Sequence, residues 1–218
     1  YHQALKIFCY LTNLYWSSDV EIEIIGYKKP EFDLPSNYRF ISLGEQRGPE
    51  YYSQDMKEFF QNIEDDFFVL LMEDTYITQP VNQNVLSALI ELTKIEKDIL
   101  RVDLTEGMSH RPIIPHTTIN GVEIVKSPVQ CEWKVTLQAS IWNRLKFLEY
   151  LTPHRDPWQF EVHGSPEALA DPFRVYGTDR NNLLCIHKNS GIREGRTNDH
   201  DLGGIDKDVV THIRENIL

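Results

Sequence analysis

The sequence predicts an α/β fold with a mixed, mostly parallel sheet flanked by helices. Three observations carry that expectation. Segments with apolar residues at helical spacing alternate with short β-rich runs through the first hundred residues, the order of a doubly wound sheet. One run, Phe67–Met72 (FFVLLM), is continuously apolar, as a strand covered on both faces is. The composition is that of a globular chain: 218 residues, 41% hydrophobic and 25% charged, long enough to bury a sizeable core.

Taken in order, Ala4, Ile7, Phe8, Leu11, Leu14 and Tyr15 place an amphipathic helix over residues 2–16. Val20–Tyr27 and Tyr38–Leu43 read as strands joined by a Pro-containing loop. Ser53–Ile63 is a helix with Met56, Phe59, Phe60 and Ile63 on one side. Phe67–Met72 then reads as the most buried strand, followed by a helix over Asn84–Lys97 and a strand over Ile99–Leu104.

Beyond residue 105 the texture is less regular. Gly107–Gly121 reads as a long loop or small hairpin, and Val122–Lys126 and Cys131–Gln138 as strands. Ser140–Leu151 reads as one helix with Ile141, Leu145, Leu148 and Leu151 packed inward. Asp156–Ala170 is a short helical segment, Phe173–Tyr176 and Leu183–His187 are strands, and Ile192–Asp201 is a polar loop. Asp206–Ile217 closes as a helix. No clean linker interrupts the chain, so residues 1–218 are expected to form one domain.

No apolar run approaches the ~20 residues of a membrane span. The net charge of −11 argues against broad binding to nucleic acid or anionic lipid, while leaving room for a local basic patch. Cys9, Cys131 and Cys185 are widely spaced without a CxxC, so neither a disulfide framework nor a zinc site is expected, and a reducing cytoplasm is the simplest compartment. Tyr1 begins a segment that already reads as a helix, with no secretory signal, and the numbered sequence reads as a fragment.

Three features carry chemistry. The apolar run ends in Glu73 and Asp74, at the place where ligands gather in open α/β sheets. Carboxylates there suit Mg²⁺ or Mn²⁺; the plainer reading is a strand end turning into solvent. In DPWQFE, Asp156 suits an N-cap, Pro157 the first helical position and Gln159 a capping box. Glu161 would follow within the first turns, either as a general base or as a residue favoured by the helix dipole. Finally, His187, Lys188, Arg193 and Arg196 lie in a Gly-spaced basic run suited to closing over a diphosphate, or to a plain surface loop. Neither a P-loop nor a GxGxxG fingerprint is present.

Together, FFVLLMEDT, the later TLQASIW and PWQFE resemble a group of bacterial and viral glycosyltransferases with the GT-A fold. In that group a strand runs into a short acidic motif, and a later segment carries a Leu-Gln…Trp stretch and a Trp-x-Phe-Glu sequence. The resemblance spans Tyr1 to Ser165 and implies a GT-A-like (Rossmann-like) sheet, with a nucleotide-sugar-binding half over 1–105 and an acceptor-side half over 106–218. It implies a hexosyltransferase-type activity, inverting and assisted by Mn²⁺ or Mg²⁺, that moves a sugar from a nucleotide-sugar donor to a glycan or other hydroxyl acceptor. By position, Asp74 would meet the metal and diphosphate with Glu73 beside it, Glu161 would be the general base, and Trp158 would line the acceptor or sugar pocket. His187, Lys188, Arg193 and Arg196 would stabilise the departing diphosphate. The motif here is EDT and not a full Asp-x-Asp. A non-catalytic nucleotide- or glycan-binding module and a nucleotidyltransferase are the alternatives on the same architecture.

Overall fold

The alternation read from the sequence is realised in chain order as α1 (His2–Tyr15), β1 (Ile22–Gly26), β2 (Tyr38–Ser42), α2 (Tyr52–Phe60) and β3 (Phe67–Leu70). There follow α3 (Gln83–Ile95), β4 (Ile99–Asp103), β5 (Ile114–Ile119), β6 (Val122–Lys126) and β7 (Ser140–Asn143). The remaining elements are α4 (Arg144–Tyr150), α5 (Pro157–Glu167), β8 (Arg174–Thr178) and α6 (Lys207–His212). The structure, a computed structural model, describes residues 2–105, 108, 110–179 and 202–218. The expected strand Leu183–His187 and the loop Ile192–Asp201 lie outside these described residues.

The chain divides into two units, each drawing on segments from both sides of residue 105. The first comprises the residues up to Gly44, Met72–Val81 and the C-terminal segment from Leu202. Its α1 buries Ala4, Leu5, Ile7, Phe8 and Leu11, while Leu14, expected on the same face, stays exposed. β1 and β2 pair in parallel with Ile22 opposite Tyr38. Asp206 caps α6, its carboxylate accepting from the backbone N–H groups of Asp208 and Val209.

The second unit, Glu45–Leu71 and the described chain from Asn82 to Asp179, is a mixed α/β unit built on a six-stranded sheet. Its strand order is β3-β7-β4-β8-β6-β5. The expectation of a mostly parallel sheet is corrected here: β4 and β8 pair in parallel, and the other four ladders are antiparallel. Two local causes produce the reversal. A parallel neighbour needs a crossover of a dozen or more residues, whereas β5 and β6 are joined through Asn120-Gly121 alone, with Ile119 opposite Val122. Both turn residues have positive φ, 52° and 78°, the conformation an Asn-Gly hairpin turn requires. The second cause is β7, which runs back between β3 and β4 and pairs antiparallel with both.

Phe67–Met72 is not the covered strand it promised to be. Its paired part, β3, lies at the sheet edge with β7 as its one neighbour among the described residues, and Val69 is 43% exposed. The strand buried along its whole length is β4, despite Arg101 and Asp103. Ser140–Leu151 is likewise two elements and not one helix. Ser140–Asn143 is the interior strand β7, and Asn143 then caps α4 by accepting from the Lys146 N–H at 3.2 Å. Leu145, expected to point inward, is exposed.

Above β3 and β7 an aromatic cluster fixes α2, α4 and α5. Phe60 meets Phe68 at a ring separation of 4.2 Å and Phe147 at 5.0 Å. Trp142 and Phe160 meet Phe147 at 5.2 and 5.4 Å. Rings at these spacings add directional attraction to their large buried area. Phe160 is fully buried in this cluster, which sets the roll of α5 and therefore the direction of its next residue, Glu161.

Candidate functional site

The α5 helix begins as its sequence dictates. Asp156 accepts from the Gln159 N–H at 2.7 Å, and the Gln159 side chain accepts from the Asp156 N–H at 3.1 Å, with Pro157 at the first helical position. This capping box satisfies donors that the first turn otherwise leaves open. It also holds the register of the face that carries Glu161, Gly164 and Ser165.

That face clamps the chain between Val135 and Gln138. Glu161 Oε1 accepts from the Thr136 hydroxyl and from the Leu137 N–H, both at 2.6 Å. Ser165 Oγ donates to the Val135 carbonyl at 2.8 Å and accepts from the Val135 N–H at 3.3 Å. Gly164 permits the approach, since a Cβ there would stand 2.8 Å from Val135 Cγ1. Cys131–Gln138, expected as a strand, is irregular for this reason: its backbone groups find side-chain partners in place of a ladder.

Beneath the clamp lies a buried polar layer. Arg101 faces Trp142 and Asp103 faces Ser140 in the β4–β7 register, which puts all four on one face of the sheet. The Arg101 guanidinium donates to the Lys134 carbonyl (2.9 Å), Ser140 Oγ (2.9 Å), Asp103 Oδ2 (3.2 Å) and the Trp133 carbonyl (3.3 Å). Asp103 Oδ1 accepts from the N–H and hydroxyl of Thr105 at 2.8 and 2.6 Å. Burial pulls the Arg101 pKa down to about 10, against the opposing pull of Asp103. The group thus stays charged at neutral pH. Lys134, fully buried, spends its ammonium on the carbonyls of Val129, Ala168 and Asp171, at 3.1, 2.8 and 2.7 Å. Burial lowers its pKa, with Asp171 opposing.

The acidic pair stands apart in character. After β3 the chain makes a turn in which the Thr75 N–H donates to the Met72 carbonyl at 3.0 Å, with Glu73 and Asp74 at its centre. The chain does not then surface, because Thr75, Tyr76, Ile77 and Thr78 are all buried. Burial raises the Glu73 carboxyl above its ordinary value, and the Asp74 charge beside it raises it further. A cation would relieve both effects. Among the described residues no group of three or more His, Cys, Asp or Glu side chains is placed to hold a metal. Glu73 and Asp74 supply the type of donor, carboxylate oxygen, that Mg²⁺ or Mn²⁺ takes.

Of the sequence-derived site residues, Trp158 is 67% exposed on the first turn of α5, one turn from Glu161. Glu73 and Asp74 belong to the first unit, Trp158 and Glu161 to the second. His187, Lys188, Arg193 and Arg196 lie outside the described residues. Arg101, Asp103, Thr136 and Ser165 were missed by sequence reading. Two charges inside the apolar run ILRVDL, and a Ser four residues after Glu161, were the available signals.

No family model, curated protein or solved structure matches this chain. Fold and site define a mixed α/β protein with a six-stranded mixed sheet, a buried Arg–Asp layer and a side-chain clamp on its surface helix. No helix among the described residues is long and apolar enough to cross a membrane.

Proposed function

We propose that the protein is a glycosyltransferase of GT-A-like architecture, moving a sugar from a nucleotide-sugar donor to a hydroxyl acceptor with inversion. The observation that carries this reading is the state of Glu161. Its Oε1 is held by two donors at 2.6 Å, while Oε2 takes no hydrogen bond from a described residue. A carboxylate fixed by one oxygen and open at the other is suited to accept a proton from an acceptor hydroxyl. The exposed Trp158 indole, one helical turn away, offers a flat apolar face to the acceptor.

Asp74, with Glu73 beside it, would hold the divalent metal and the diphosphate end of the donor. Bound there, Mn²⁺ or Mg²⁺ neutralises the charge of the departing diphosphate. Lys188, Arg193 and Arg196, with His187 among them, are the further candidates for that task. Asp74 and Glu161 belong to different units, and each role rests on its own surroundings.

The same hydrogen bonds favour a second reading, a non-catalytic nucleotide- or glycan-binding module in which Glu161 only fastens residues 136 and 137. Glu161→Gln separates the two. The protein is incubated with a panel of nucleotide sugars, Mn²⁺ and glycan acceptors, and nucleoside diphosphate release is measured. A general base predicts a fall in turnover of ~10²–10⁴-fold with donor affinity kept. A full rate with a lowered melting point assigns Glu161 to the fold alone, and pyrophosphate chemistry would point to a nucleotidyltransferase.

A further inference from the structure

We infer that Thr136 is a positioning residue for Glu161, its hydroxyl fixing the carboxylate so that Oε2 faces the acceptor. The inference rests on the proposed role of Glu161 as base. Thr136 is buried, and its Oγ1 accepts from the Gln138 N–H at 3.3 Å while donating to Glu161 Oε1 at 2.6 Å. A hydroxyl oriented from one side by a backbone donor has its proton committed to the other. The Leu137 N–H reaches the same oxygen, so two donors from consecutive residues converge on Oε1. A carboxylate on a helix can otherwise rotate about its last bond, turning the plane that holds its two equivalent oxygens. Two donors on one oxygen restrain that plane, and a fixed base is worth more to a reaction than one that must be found in the right rotamer.

Ser165 and Gly164 do a different job on the same helix face. Ser165 bonds both backbone groups of Val135, and Gly164 admits the Val135 side chain. Those contacts hold the clamped segment in place whether or not the Thr136 hydroxyl is present. Thr136→Val, close in shape, therefore removes the orienting bond and the Gln138 N–H contact, while the two Ser165–Val135 bonds keep the segment docked.

The test compares Thr136→Val, Thr136→Ser, Glu161→Gln and the Val/Gln double variant, by release of nucleoside diphosphate from a panel of nucleotide sugars with Mn²⁺. Thr136→Val is expected to lower kcat by ~10–100-fold with KM for the donor unchanged. Thr136→Ser should keep most of the rate, because it restores the hydroxyl. Adding Thr136→Val to Glu161→Gln should cost nothing further, since a positioning group acts only through the group it positions. If Glu161→Gln loses its rate while Thr136→Val keeps it, or if the two losses simply multiply, the inference fails and the base assignment stands. If Glu161→Gln keeps its rate, or the unaltered protein releases nothing from any donor, the base assignment fails and the inference with it.

Discussion

β3 and β4 invert what their sequences promise. Phe67–Leu70 is wholly apolar and lies at the sheet edge, half-exposed, with one neighbouring strand among the described residues. Ile99–Asp103 carries a guanidinium and a carboxylate and is buried at every residue. Hydrophobicity alone would exchange them. The difference is partnership: Arg101 is enclosed by acceptors from Asp103, Ser140 and two carbonyls, so its desolvation is offset bond by bond. An apolar strand needs no such partners and can occupy an edge, where neighbouring elements settle how much of it is covered.

The strongest way to break this comparison is to remove the partner network from β4. Arg101→Met leaves Asp103 a buried charge without its cationic partner and the Lys134 carbonyl without its donor, which should cost about 3–5 kcal/mol. Urea unfolding of the two proteins checks it. A shift in midpoint worth less than about 1 kcal/mol would mean that the buried pair matters no more than an average side chain.

A smaller effect is expected at the turn that follows β3 in the chain. A carboxyl raised above its ordinary value, as Glu73 is by burial and by Asp74, favours the folded state at low pH. That contribution is lost as pH rises through the raised value. Glu73→Gln removes the dependence, so the variant should gain on the wild type as pH climbs above the ordinary carboxylate range. Melting temperatures of both, from about pH 4 to about pH 8, give the answer. Parallel curves would place Glu73 in ordinary solvent.

The smallest effect belongs to the edge strand itself. Val69 is exposed, and Thr suits a strand as well as Val does, so Val69→Thr should move stability by less than about 0.5 kcal/mol. A loss comparable to that of Arg101→Met would show that β3 is covered after all, and the contrast between the strands would collapse.

Much of the local structure was legible. The α5 start was written in Asp156, Pro157 and Gln159, and α1 in its apolar spacing. Asn120-Gly121 turns the β5–β6 hairpin, in a region whose sequence left a long loop and a small hairpin both open. The candidate site was legible only as types: an acidic pair after an apolar run, and Glu161 after a capping box. Its working parts were not, because Thr136 and Leu137 reach Glu161 across 25 and 24 residues. The Arg101 side chain similarly meets Ser140 across 39 residues.

The sequence by itself determined what depends on a few consecutive residues: caps, turns and the side of each helix that is apolar. Backbone dihedrals and side-chain spacing decide those within one or two turns of chain. Only the tertiary structure decided that β7 separates β3 from β4, that β3 is an edge, and that Glu161 Oε1 meets the Thr136 hydroxyl and the Leu137 N–H. Each of these is a competition among distant segments for the same neighbours. It is won by whichever arrangement leaves the fewest buried polar groups without a partner, a quantity that no short window of sequence contains.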